Sequence, residues 1–333
     1  MAPTRPPAIR RMVLTAVVLA TMPVVAGCTA GQPAPEPSLS SSTLTHSLVV
    51  GAPNTAEGAV IAELYSGALQ AAGVPSSVKT GLGDQTAALD ALKAGSVQIL
   101  PAYTGDLMRT VNGTAKDTGD DTVRNAAASA LPKPLSMLDA SGAQNREVVA
   151  VTQVTAERYQ LKSMDDLGKV CSQLVLAAPS GFSENTYGSS ALESAYNCKP
   201  KRIQAFGVTA GPDGGPAAPT AAEQDSPYTI PQPLKALLQD DVQAAVLLST
   251  DPAINDNALV VLDDGKKALL PEQIVPLVND PALPQQARDA VNNVSRTLSS
   301  DDLIQMNRAV QGDQARSPRE VALSWLKDKG IAK

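Results

Sequence analysis

Histidine is nearly missing: the 333 residues contain one, His46. That excludes Ser-His-Asp nucleophilic catalysis, histidine acid–base work and histidine-ligated metal sites from the body of the chain. Aromatic residues are scarce at 3%, with two Phe and one Trp, so a site built from stacked rings has few to draw on. No Cys-x-x-Cys pair, Gly-x-Ser-x-Gly elbow or Walker-type loop occurs. Basic charge is short too. Lys and Arg number 27 against 33 acids, and without Arg5, Arg10 and Arg11 of the leader the 24 that remain leave a net charge of −9. Such a surface argues against nucleic acid and anionic lipid as partners. The usual equipment of an enzyme or a metalloprotein is absent, and no catalytic residue, cofactor or metal is expected.

What is present begins at the N-terminus. The three arginines precede an apolar run from Met12 to Ala26. This is the basic region and hydrophobic region of a secretory signal; at about 15 residues and interrupted by Pro23, the run is too short and broken for a good membrane span. It ends in Val25-Ala26-Gly27-Cys28, the aliphatic–small–small–Cys order of a bacterial lipobox. Residues 1–27 are therefore expected to be a signal peptide, and Cys28 to carry the acyl chains that anchor the protein outside the cell membrane. Residues 28–46, rich in Pro, Ser and Thr, are expected to be a flexible tether. Of the three cysteines, Cys171 and Cys198 remain, an even pair in an oxidising compartment, so a disulfide is expected. It would contribute about 3 kcal/mol in the chain-entropy model.

The body, from residue 47, has the length of two domains and 43% apolar residues to build their cores. Apolar strands are predicted at 47–51, 76–80 and 97–100, alternating with helices over 57–72 and 85–95. That alternation implies an α/β architecture with parallel strands, whose ligands bind beyond the carboxyl ends of the strands. Asn54, Gly83 and Tyr103 fall in loops after strands, the last in a predicted loop from Pro101 to Asp106. Further strands are predicted at 148–151, 174–178 and 244–248, and a surface loop at about 209–233. Ser299 with Asp302, and Ser317 with Pro318 and Glu320, mark capped helix starts. Trp325 is expected to pack in the core.

Several segments in this order, "VVGAPNTAEGAVIAELYSGALQAAG", "GLGDQTAALDALKAGSVQILPAYTGDL" and "LLSTDPAINDNALVVLDDGKKALLPEQIVPLV" among them, resemble the osmoprotectant-binding proteins of ABC transporters, the glycine betaine/choline/carnitine type. The resemblance spans nearly all of the body. It implies a two-lobed, type II-like periplasmic-binding-protein fold with mixed or parallel sheets. One lobe would be residues 47–144 plus 253–333 and the other 145–252, with hinge crossings near Asn145 and Asp251. It implies a monomer that captures a small polar ligand between the lobes and delivers it to a permease driven by an ATPase subunit. The alternative is a surface lipoprotein with the same fold and a sensing or envelope role. An enzyme is less favoured still; only Asp106 with Glu147 or Glu272 offers a carboxylate pair for sugar hydrolysis.

In that family a cage of tyrosines holds a quaternary ammonium by cation–π attraction, and a basic side chain holds the ligand carboxylate. Carried across, the first cage tyrosine is kept as Tyr103, beside Thr104. The others fall on Glu147, on Leu248 just before Ser249-Thr250-Asp251, and on Glu272. The basic clamp falls near Glu184 or Asn185, the lysine of the first loop on Pro53, and a threonine on Asp106. The expected binding set is thus Asn54, Gly83, Tyr103, Thr104, Asp106, Glu147, Asn185, Leu248, Thr250 and Glu272. Acids replace rings and the cationic clamp is lost, unless Tyr187 or Tyr228 rebuilds the cage. Carboxylates with few rings suit a ligand bearing hydroxyls or amines, and disfavour glycine betaine.

Overall fold

The computed structural model describes residues 47–206, 232–311 and 315–333. The leader, Cys28, the tether, Tyr228 and all but the last two residues of the predicted 209–233 loop lie outside the described residues.

The first lobe begins with β1 (Leu48–Gly51) and α1 (Ala56–Ala71). The Thr55 hydroxyl caps α1 by accepting from the Gly58 N–H at 3.0 Å, and Gly73, at φ +79°, turns the chain out of it. β2 (Ser76–Lys79), α2 (Gln85–Lys93) and β3 (Ile99–Tyr103) follow, and β1 runs parallel to both β2 and β3, as the alternation required. β3 does not stop at Leu100. It continues through Pro101-Ala102-Tyr103, and α3 (Thr104–Val111) starts at once, so the predicted loop is strand and helix. The cause is remote: β10 (Ile274–Asn279) pairs antiparallel with Ile99–Tyr103 and sets Pro276 opposite Pro101. α4 (Asp120–Ala130) and β4 (Leu135–Met137) complete a sheet of order β2-β1-β3-β10-β4.

The second lobe holds β5 (Glu147–Val151), α5 (Gln153–Tyr159), α6 (Met164–Val170), β6 (Val175–Pro179), α7 (Ser189–Tyr196) and β7 (Arg202–Phe206). It continues with α8 (Gln232–Leu238), β8 (Ala244–Leu248), α9 (Pro252–Asp256) and β9 (Val260–Val261), in a sheet of order β7-β6-β8-β5-β9. Cys171 and Cys198 are disulfide-bonded, tying the end of α6 to the end of α7. The sequence placed the return to the first lobe at 253, near Asp251. The structure places it later. β9 pairs with β5, and Leu262, Ala268 and Leu269 pack in the second lobe's core, so the chain returns at Leu270–Gln273. The two crossings lie side by side: Gln144 bridges Gln273, and the Asn145 N–H donates to the Glu272 carbonyl at 2.9 Å.

α10 (Gln285–Thr297), α11 (Ser300–Ala309) and α12 (Pro318–Asp328) then close the first lobe. Both predicted capping boxes form, at Ser299/Asp302 and Ser317/Glu320. Trp325 packs into the cluster around Ile61, Leu64 and Leu69 of α1. Among the described residues no helix is long and apolar enough to cross a membrane.

Candidate ligand-binding cleft

A cavity of about 930 Å³ opens where the two lobes face each other, in the size range of small-molecule sites. Eight of the expected binding residues line it: Asn54, Gly83, Tyr103, Asp106, Glu147, Leu248, Thr250 and Glu272. Two do not. The Thr104 side chain is buried against the returning crossing, donating to the Pro271 carbonyl at 3.2 Å and accepting from the Gln273 N–H at 3.1 Å. Asn185 turns into its own loop, accepting from the Tyr187 N–H, and its neighbour Glu184 is exposed. The C-terminal half of that loop supplies Tyr187 to the cavity instead.

The cavity is not without a cation. Because Thr104–Val111 is helical, Asp106 and Arg109 share one face, and their side chains meet at 3.2 Å. Arg109 also lies 3.9 Å from Glu272. It is the one basic side chain among the lining residues described, and reading Pro101–Asp106 as a loop concealed it.

Glu272 stands on the returning crossing with its Oε2 against the start of α3, where it accepts from the Gly105 N–H at 2.8 Å and the Asp106 N–H at 3.1 Å. Gly105 permits this approach, since a Cβ there would lie 2.7 Å from Glu272 Oε1 and 2.8 Å from the Pro271 carbonyl. Burial pushes the Glu272 carboxyl up to about 8, outweighing the N–H bonds and Arg109, which favour the charged form. Burial likewise raises Glu147, with Arg109 opposing it.

Glu57 was not anticipated. It lies in the first turn of α1, buried, and its carboxylate collects donors from four segments. The Tyr103 hydroxyl at 2.5 Å and the Asn145 side-chain amide at 2.8 Å reach Oε1; the Thr250 hydroxyl at 2.7 Å and the Asn307 amide at 2.6 Å reach Oε2. Burial first, and then the Glu57 charge, hold the Tyr103 hydroxyl well above its ordinary pKa. The sequence did carry a signal: Glu57 precedes Val60, Ile61 and Leu64 by three, four and seven residues, which puts an acid on the buried stripe.

Tyr187 comes from the second lobe but is buried in the first lobe's cluster with Leu107, Met108 and Leu135, and its hydroxyl donates to the Ala115 carbonyl at 2.7 Å.

Comparison with known proteins agrees with this architecture. The family described as the substrate binding domain of an ABC-type glycine betaine transport system matches residues 46–328. The glycine betaine-binding protein YehZ of Escherichia coli strain K12 is 29% identical over 302 residues, covering 85% of this chain and 91% of YehZ. The carnitine transport binding protein OpuCC of Listeria monocytogenes is 23% identical, covering 83% of this chain and 85% of OpuCC. The crystal structure of a glycine betaine/carnitine/choline ABC transporter protein superposes with a TM-score of 0.71 at 20% identity, over 85% of this chain and 99% of that one.

Proposed function

The chain belongs to the substrate-binding proteins of ABC-type glycine betaine transport systems, and from that premise we propose that it captures a small hydroxyl- or amine-bearing solute rather than glycine betaine. One observation carries this reading. The inter-lobe cavity presents Asp106 and Glu272 from one wall and Glu147 from the other around a single arginine, and that arginine is already engaged by Asp106. A ligand carboxylate would enter a cluster of acids with no free cation, whereas an ammonium or hydroxyl group finds acceptors. Tyr103 and Tyr187 remain for a cationic head.

The side-by-side crossings at Gln144–Arg146 and Leu270–Gln273 act as the hinge, and a monomer in the closed form docks on a permease that an ATPase subunit powers from the other side of the membrane. The leader and Cys28 make it an extracytoplasmic lipoprotein held at the cell membrane. Cys28→Ser should release it into the soluble fraction; retention at the membrane would count against the anchor.

The ligand class is tested by thermal unfolding of the full chain against choline, carnitine, glycine betaine, polyols, sugars and polyamines. A ligand at 100 times its Kd adds about 2.7 kcal/mol, a readily visible shift. The reading expects stabilisation by a carboxylate-free amine or a polyol. Micromolar binding of glycine betaine with silence from the others would sink it.

A further inference from the structure

We infer that Glu272 sets the charge class of the ligand: its carboxyl is a built-in occupant of the anion seat formed by the Gly105 and Asp106 N–H groups and Arg109. The inference rests on the inter-lobe cavity being the ligand site. The first N–H groups of a helix lack partners within it and, with the helix dipole, form a seat for an anion. Here α3 aims two of them at the cavity wall and carries Arg109 one turn on. In this chain the oxygens come from the protein itself: Glu272 Oε2 accepts from both N–H groups, and Oε1 faces Arg109 at 3.9 Å.

The occupant is fixed by its backbone. Asn145 donates to the Glu272 carbonyl, and Thr104 bonds both neighbouring residues, to the carbonyl of Pro271 and from the N–H of Gln273. With the main chain pinned on both sides and the carboxyl held by two N–H groups, Glu272 does not vacate the seat for an incoming solute. A ligand carboxylate is excluded by occupancy, whichever protonation state Glu272 holds. An ammonium or hydroxyl group loses nothing, because the carboxyls of Asp106 and Glu147, which line the same cavity, accept from it.

The test uses the full chain with wild-type Glu272, Glu272→Ala and Glu272→Gln. Acetate serves as the probe for the emptied seat, with chloride at matched ionic strength as control. Acetate should raise the melting temperature of Glu272→Ala above its chloride value. It should leave the wild type and Glu272→Gln unmoved, since Gln keeps an acceptor on the two N–H groups. In parallel, the affinity for glycine betaine relative to choline should rise about tenfold or more in Glu272→Ala. An equal acetate response in all three proteins, or none in any, overturns the inference, as does an unchanged betaine-to-choline ratio in a folded Glu272→Ala. Should the alanine variant fail to fold, Glu272→Thr fills more of the space and is read in the same way. The wild-type ligand panel alone decides the proposed ligand class, and the acetate response alone decides the seat, so the two fail separately.

Discussion

Glu57 is a carboxylate held by four donors, from β3, the outgoing crossing, the end of β8 and α11. Truncation to alanine takes this acceptor from all four, from Thr250 and Asn307, which are buried, and from Tyr103 and Asn145, which are half-buried, and an unsatisfied buried donor costs about 1–3 kcal/mol. Glu57→Ala is therefore expected to lose at least about 3 kcal/mol in urea unfolding; a loss below about 1 kcal/mol would show that water satisfies these donors equally well. Glu272 makes a different prediction. Its folded pKa of about 8 lies above the ordinary 4.5. Below pH 4.5 both folded and unfolded chains hold its proton. Between 4.5 and about 8 only the folded chain does, so this group's contribution to stability falls as pH rises through that window and is lowest above it. Measured against Glu272→Gln, wild-type stability should decline by a few kcal/mol from pH 4.5 to 8.5; parallel curves would show that Glu272 titrates normally. Tyr103 and Glu272 were reachable by carrying family positions across. Glu57 could have been found from its place on the α1 stripe, but an acid at the first turn of a helix also reads as a favourable dipole contact.

At the scale of elements, what local chemistry decides was legible. The capping boxes of α11 and α12 and the alternation that makes β1, β2 and β3 parallel stand where the residues put them. What depends on distant pairing was not. β3 runs on to Tyr103 because β10 covers it from more than 170 residues away, and the second lobe extends to Leu269 because the two-residue β9 pairs with β5. Nothing within Val260–Val261 distinguishes that edge strand from a loop. The Cys171–Cys198 bond joins two elements that both pack on one face of the second sheet, across 27 residues. Cys171→Ser with Cys198→Ser is expected to cost about 3 kcal/mol, read from chemical denaturation, with the loss confined to the second lobe in hydrogen exchange. A uniform loss over both lobes would instead mean that they unfold as one cooperative unit.

For the whole molecule, the question is what holds the lobes together around the cavity. The two crossings bring the lobes near each other but do not fix the angle between them. Tyr187 spans the gap: its backbone belongs to the second lobe, its ring is buried in a first-lobe cluster, and its hydroxyl donates to the Ala115 carbonyl. Two ion pairs among the described residues also reach across, Arg308 with Asp256 at 2.5 Å and Lys267 with Asp120 at 3.7 Å; both are about half exposed and contribute little. Tyr187→Phe keeps the ring and removes one hydrogen bond, worth about 1 kcal/mol net, so the ratio of open to closed chains should rise about five-fold. Tyr187→Ala, which also loses the ring's packing, should open the chain further. Spin labels on the exposed positions Asp90 and Glu157, one on each lobe, read the interlobe distance distribution without any ligand. An unshifted distribution in Tyr187→Ala would leave the angle to the crossings and to the contacts that Thr250 and Asp256 make with the first lobe. A shift in the alanine variant but not in Tyr187→Phe would assign closure to the buried ring alone, because the hydroxyl then finds in water what it finds at Ala115.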